Sequence, residues 1–513
     1  MNEVESKNKR IAYNTLMLYF RMFISMSISI YTSRIVLHQL GIDDYGVYNV
    51  VGGIVSLISF INSSMTGATT RFLSYEQENK DQIRLKKTFG SSLIIHLIIG
   101  FTVILLLETI GLWFLNNYIK IPSESRNIAS YIYQFSVFST FINIIKVPFS
   151  AATIAHEKMK IYALIEISLS LLNLATALIL ILIHKDKLLL YGGMMLLNNL
   201  IIFLLYAIYT TQKFQECHIK IKTDKRMFKP MFHFFGWDLY GNLSTVARGQ
   251  GVNMLLNIFF GVVANTAYGI SNQVQSAVGA FSSNIITAVK PQIIKSYASG
   301  DIARCTQLII ASSKLICVLL LLISLPLIME MHDVLYLWLG EVPKYTVWFA
   351  RFTIGFLFFA ALSGVVVTGV HATGNIKRPS FINGTLYLLV IPITYIAFRL
   401  NSNIYLPFIL NIIFVFIGCL VNITTIKQKI PMMTIKLYFN EVLAPGLLTG
   451  LLTFLIINYV HIQISNSIIR GFAVILTSSF FIIIFSYFII ATKQERVQTL
   501  SFLKKHFNKN ADY

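Results

Sequence analysis

The sequence predicts an all-α integral membrane protein: about fourteen transmembrane helices, arranged as two six-helix lobes in parallel repeat plus two extra C-terminal helices. Three observations predict it. Of 513 residues, 55% are hydrophobic and only 12% are charged, about half the charge of a soluble domain. Long apolar windows recur from end to end with short connections between them. Parts of the sequence return at one constant offset, the one that carries Gly41 onto Gly261. The net charge of +20 comes from 42 basic residues spread over this apolar chain. In a multi-span protein such an excess marks cytoplasmic loops and not a nucleic-acid footprint. Four cysteines, Cys217, Cys305, Cys317 and Cys419, stand singly, with no spacing for a metal or a disulfide framework.

A spanning helix needs ~20 mostly apolar residues. Windows of that kind cover 11–39, 45–73, 89–115, 125–153, 161–183, 188–210, 231–259, 265–290, 305–329, 345–372, 381–399, 404–424, 439–461 and 467–491. The first is read as a retained span and not a signal peptide, because Arg21 and Arg34 interrupt it and no small-residue cleavage site closes it. The longest connections, 211–230 and 330–344, are read as loops, so no soluble domain is inserted. Lys and Arg in alternate connections number 27 on the side of the termini and 5 on the other. The positive-inside rule therefore puts both termini in the cytoplasm.

The repeat rests on paired residues. Leu40-Gly41 with Tyr45-Gly46 matches Phe260-Gly261 with Tyr268-Gly269. Asp81 and Arg84 fall on Asp301 and Arg304, Ala152-Thr153 on Ala372-Thr373, and Lys158 on Arg378. Ser56 and Ser63 fall on Ser276 and Ser283. The expected organisation is an N-lobe at 1–210, a cytoplasmic linker at 211–230, a C-lobe at 231–430, two added spans within 431–491 and a basic tail at 492–513. Six spans per copy is an even number, so both copies run the same way through the membrane, and transporters built so bind substrate between the halves.

Four spans carry polar stripes at helical spacing. Span 1 has Asn14, Arg21, Ser25, Ser29 and Thr32 on one face. Span 2 has Asn49, Ser56, Ser59, Ser63, Thr66 and Thr70, with Arg71 beside them. Span 7 offers Asp238, Asn242 and Thr245, with Arg248 near the edge. Span 8 offers Asn265, Asn272, Ser276, Gly279, Ser283, Thr287 and Lys290. Hydroxyls and small residues also let membrane helices pack closely. The charges ask for more, since a charge at mid-membrane costs ~3 kcal/mol on insertion scales and usually faces a cavity or a partner. Arg21, Arg248, Arg71 and Lys290, with Asn14, Asn49, Asn242 and Asn272, are the candidate lining of a polar, mainly positive cavity suited to an anion. Arg71 and Lys290 sit near the cytoplasmic end, where snorkelling is the competing account. Asp238 and Glu166 are the candidate proton or sodium sites. No catalytic residue, metal site or nucleotide-binding motif is expected, and no cofactor.

Ser33-Arg34-Ile35, Leu40-Gly41 and Tyr45-Gly46-Val47-Tyr48 together resemble the start of polysaccharide flippases of the Wzx type. Lys290-Pro291 with Tyr297 to Asp301 resembles the matching segment of that family's second lobe. Those flippases belong to the multidrug/oligosaccharidyl-lipid/polysaccharide (MOP) exporter superfamily. The resemblance implies a MATE-like pair of six-helix lobes around a cavity lined by spans 1, 2, 7 and 8, working by alternating access. It implies a bacterial inner-membrane protein whose cargo is an undecaprenyl-pyrophosphate-linked oligosaccharide for O-antigen or capsule assembly. The expected partners are that cargo, membrane lipids and the pathway's polymerase or assembly proteins, with no nucleic acid. In related lipid II flippases, arginines on spans 1, 2 and 8 bind pyrophosphate and the two added helices form a lipid-tail groove. Arg21 is at a comparable place on span 1, and 439–491 is the comparable addition. The alternatives are a MATE-type drug/cation antiporter or a lipid II flippase of the same superfamily. A sugar polymerase or membrane glycosyltransferase is disfavoured by the lack of a large outer loop or an acidic loop motif.

Overall fold

The computed structural model describes residues 3–56, 59–79, 81–118, 126–183, 186–218, 224–493 and 495–497. Among these the chain is helical nearly throughout. In order, α1 is Glu3–Ser56, α2 Ser59–Glu78, α3 Gln82–Asn117, α4 Arg126–Ala155, α5 Met159–Leu182, α6 Lys187–Lys213, α7 Lys225–Phe260, α8 Val262–Ala298 and α9 Ile302–Met329. Then come α10 Met331–Leu339, α11 Thr346–Thr373, α12 Lys377–Arg399, α13 Leu406–Lys427, α14 Ile435–Gln463 and α15 Ser467–Ile490. The chain is thus an all-α, multi-span membrane protein.

Ten of these helices are long and apolar enough to cross a membrane. The remaining long helices, α1, α2, α7 and α8, are those that carry the polar stripes, and the stripes lower their hydropathy. Most ends of the ten apolar helices fall within a few residues of the windows read from the sequence, whereas α1, α7 and α8 extend further and the 45–73 window is shared between the end of α1 and α2. One connection also differs. The loop expected at 330–344 contains α10, an amphipathic turn of helix whose Met331 and Leu335 are buried against Ala350 and Ile354. The connection expected at 40–44 falls at Gly41, whose non-helical backbone divides α1 into two helical runs, the second ending at Ser56.

Gly41 has φ 77° and ψ 173°, a conformation open in practice to glycine alone. Gly261, its mate in the repeat, has φ 78° and separates α7 from α8. The same offset relates the first residues of α3 and α9, Gln82 and Ile302, and of α4 and α11, Arg126 and Thr346. The repeat seen in the sequence is therefore a repeat of helix register. Nothing lies within 4 Å of a Cβ built on either glycine, so only backbone strain opposes alanine. Gly41→Ala and Gly261→Ala are each expected to destabilise by ~1–3 kcal/mol. Thermal unfolding in detergent checks this, and being far apart in sequence and in separate units the two losses should add.

The chain packs as two compact units. Unit 1 comprises 1–246 and 287–301, and unit 2 comprises 247–286 and 302–513. This division by packing cuts α7 and α8, where the sequence reading put its lobe boundary in 211–230. The α8 change comes at residues 286–287, where Pro291 removes the amide that would bond to the carbonyl of Thr287.

Two large apolar clusters lie in unit 1. One is centred on Ile132, Tyr133, Ala177 and Leu180, and the other on Ala151, Ile202 and Tyr206, all at 0% exposure. Tyr133 satisfies its hydroxyl by donating to the Leu107 carbonyl at 2.6 Å, as a buried phenol must. Asp81 begins α3 by accepting from the Ile83 and Arg84 amides, both at 3.0 Å, the standard end to a helix's orphan N–H groups.

In unit 2, the rings of Phe349 and Phe408 pack with centroids 4.3 Å apart, tilted by 32°. The two added helices are tied to it by ion pairs at both ends. Buried Lys314 of α9 reaches Glu441 at 2.8 Å and Glu495 at 3.4 Å. Buried Glu330, between α9 and α10, accepts from His461 at 2.7 Å and Arg470 at 3.1 Å. Residues 498–513 of the expected basic tail lie outside the described residues.

Candidate functional site

Three polar clusters contain most of the sequence-predicted site residues, two in unit 1 and one in unit 2.

The first lies around Gly67 of α2. A Cβ there would sit 3.5 Å from Lys290 Nζ and 3.6 Å from Asp238 Oδ2. The lack of a side chain at 67 leaves the space in which an ammonium from α8 and a carboxylate from α7 face each other. Asn242, one turn beyond Asp238, donates to Asp238 Oδ2 at 3.3 Å and to Ser64 Oγ at 2.7 Å. Lys290, Asp238 and Asn242 are thus brought together around Gly67. Arg71 is close along α2 but is held by aromatic faces: Phe72 at 4.5 Å, Tyr75 at 5.4 Å and Phe234 at 5.5 Å. A cation over a ring face is stabilised by the ring quadrupole.

The second cluster joins α1 to α5 and α6. Arg21 Nη1 donates to the Tyr162 hydroxyl at 3.5 Å, with its guanidinium 5.4 Å from that ring. Tyr206 donates to Glu166 Oε1 at 2.9 Å, and the two tyrosine rings are 6.3 Å apart. Arg21 and Glu166 thus belong to one network, linked through tyrosines. Asn14 on α1 is buried, and its Nδ2 has no hydrogen-bond partner among the described residues. Asn49 lies on α1 in a stretch whose side chains are outside the described set.

The third cluster is a cavity of about 180 Å³ in unit 2. Arg248, 8% exposed, projects into it from α7. Its guanidinium is sandwiched by Tyr387 at 4.4 Å and Phe356 at 4.7 Å, and Nη1 has no hydrogen-bond partner among the described residues. Asn253, Asn272, Gln275 and Asn411 surround it with amides, and Asn411 Oδ1 is likewise buried without a partner. Among the described residues lining it there is no Asp or Glu. A buried cation is normally matched by a carboxylate. Here the two aromatic rings supply part of the stabilisation, and Nη1 is buried without a partner among the described residues.

The sequence reading named Arg248 and Asn272 but passed over Tyr387, Phe356, Asn253, Gln275 and Asn411. Asn411 had a legible signal, being one of two amides, with Asn422, inside the mostly apolar window 404–424. It also passed over Glu157, a 1%-exposed carboxylate in the turn between α4 and α5. Glu157 receives Lys295 at 2.9 Å, Gln292 at 2.7 Å and Arg10 at 2.6 Å. Burial pushes its carboxyl up, but the Lys295 ammonium and the bonds from Lys295, Arg10 and Gln292 outweigh that and hold it below the ordinary carboxylate range. Among the described residues no group of three His, Cys, Asp or Glu side chains forms a metal site.

The helix order and the register repeat define a polytopic, all-helical membrane fold built from two related halves of sequence. Solved structures specify which one. A MATE transporter in its bent conformation aligns with TM-score 0.73, at 13% identity over 83% of this chain and 96% of that one. An outward-facing multidrug resistance MATE transporter of the MOP superfamily aligns at 0.69, with 13% identity over 82% and 96%. A MOP superfamily transporter from Pyrococcus furiosus, described as having a binding pocket of reverse polarity, aligns at 0.67, with 14% identity over 82% and 96%. The fold is that of the MATE transporters. No family model matches the chain, and no curated protein matches it.

Proposed function

We propose that this chain is a bacterial inner-membrane transporter of the MOP superfamily, not an enzyme, and that it flips undecaprenyl-pyrophosphate-linked oligosaccharides by alternating access. The observation that carries the reading is the Arg248 cavity. It is lined by a buried guanidinium whose Nη1 has no partner among the described residues, together with several amides, and no carboxylate is among its described lining. Guanidinium donors match phosphate oxygens. A cavity built for an organic cation would carry the opposite charge. The MATE fold supports a transport role, since that fold's solved examples are transporters.

In this reading 1–210 and 231–430 are the two repeat lobes, and both termini are cytoplasmic, as the Lys and Arg distribution supports. The cargo's lipid tail stays in the bilayer beside the added helices α14 and α15. Asp238, set against Lys290, and Glu166, bonded to Tyr206, are the coupling-ion groups. The pathway's polymerase and assembly proteins receive the product.

Those two carboxylates are also what favours the second reading, a drug/cation antiporter of the same fold. Deleting the gene in its host and complementing with wild type and Arg248→Ala separates the two. The flippase reading expects loss of surface glycan and accumulation of lipid-linked repeat units, reversed by wild type alone. Unchanged surface glycan with raised drug sensitivity would replace it with the antiporter.

A further inference from the structure

Unit 1 has a cavity of its own, of about 200 Å³, well above the ~30 Å³ that one water takes in the liquid. Its lining stands in repeat register with the Arg248 cavity. Ile28, Ser33 and Tyr191 line it. The offset that carries Gly41 onto Gly261 carries them onto Arg248, Asn253 and Asn411, which line the other. The two pockets are thus the same place in the two repeats, with opposite chemistry. Where unit 2 has a guanidinium, unit 1 has an isoleucine.

What unit 1 offers is neutral and rich in hydrogen-bonding groups. Thr32 is nine-tenths buried, and its Oγ1 has no hydrogen-bond partner among the described residues. Asn173, which also lines the cavity, accepts from Asn198 at Oδ1 at 3.0 Å, and that bond does not use its amide donors. Ser33 donates to the Ile30 carbonyl at 2.9 Å and keeps its lone pairs for an incoming hydroxyl. Tyr191, held edge-on by Tyr48 at 4.7 Å, adds an aromatic wall. A buried hydroxyl without a partner is costly unless a ligand or water satisfies it. Without a charge in the described lining, an anion would be stranded there, whereas a ring carrying several hydroxyls would be matched.

Resting on the flippase reading above, we infer that the unit 1 cavity is a subsite for the neutral, hydroxyl-rich sugar portion of the cargo, distinct from the anion subsite at Arg248. The repeat has divided recognition: charge is read in one copy and polyol in the other.

The test uses the full-length protein in nanodiscs with two probes, undecaprenyl pyrophosphate without sugar and the lipid-linked oligosaccharide extracted from the host. Native mass spectrometry reads binding of each to wild type, Thr32→Val, Asn173→Leu and Arg248→Gln. Thr32→Val keeps shape and guards against misfolding. Wild type should prefer the glycosylated lipid. Thr32→Val and Asn173→Leu should each weaken that lipid about five-fold, the equivalent of one neutral hydrogen bond, and leave the sugarless lipid unchanged. Arg248→Gln should weaken both. Equal wild-type affinity for the two lipids, or unit 1 variants that weaken both or neither, would overturn the sugar subsite while leaving the flippase reading intact. Wild type that binds neither lipid would remove both.

Discussion

Arg248→Met is expected to lower affinity for a polyprenyl pyrophosphate by ten- to a hundred-fold while leaving the thermal midpoint close to that of wild type. Charge-assisted hydrogen bonds contribute ~1.5–3 kcal/mol, and each ~1.4 kcal/mol is tenfold in affinity. The variant should fold because no carboxylate lines the cavity, among its described residues, to be stranded when the guanidinium goes. A methionine keeps apolar contact with Phe356 and Tyr387. It forfeits the cation–π attraction, ~0.5–2 kcal/mol, but it also relieves the desolvation of a charge whose Nη1 has no partner. Binding and thermal unfolding measured on one preparation decide it. Retained affinity would show that Arg248 does not meet the substrate. A collapse in stability would show that the guanidinium is structural.

Glu157→Gln has the opposite signature, a large loss of stability. The carboxylate accepts from Arg10, Gln292 and Lys295, and so joins the start of α1, the α4–α5 turn and the end of α8 within unit 1. Its own backbone is left-handed, at φ 57°. Removing the anion leaves Lys295, 13% exposed at its side chain, without its countercharge. Breaking a buried pair on one side costs ~3–5 kcal/mol. Glu157→Gln with Lys295→Met should recover part of the loss, because the stranded cation is then gone as well. The same network sets an acid limit. The folded carboxyl ionises below its ordinary value of 4.5. Its stabilisation is therefore whole above that pH and drains away as pH falls through the folded value. Acid unfolding of wild type should steepen there, and Glu157→Gln should lack that component. A variant as stable as wild type at neutral pH would show that the network does not hold α8.

How far the sequence could be read depended on whether a feature is one-dimensional. Hydropathy is, so most of the strongly apolar spans were legible to within a few residues, and the constant repeat offset paired Gly41 with Gly261, which share a positive φ. The charged stripes were legible for the same reason, since the helical period fixes which side chains share a face. A face does not name its neighbour. Arg21 and Arg71 look alike in sequence, yet one bonds Tyr162 on α5 while the other lies among Phe72, Tyr75 and Phe234. Asp238 was read as an ion site, and packing sets it opposite Lys290 across a glycine.

By itself, then, the sequence determined the class, the long helices, the repeat and the identity of the polar helices. Each follows from local composition or from periodicity along one chain. Only the tertiary structure decided that Arg248 stands among amides and aromatics without an acid in its described lining, that its repeat mate Ile28 leaves a neutral pocket, and that Glu157 gathers three donors from distant segments. Those facts depend on side chains from widely separated stretches of the chain meeting at hydrogen-bond or ring-contact distance, and helix packing alone sets such distances.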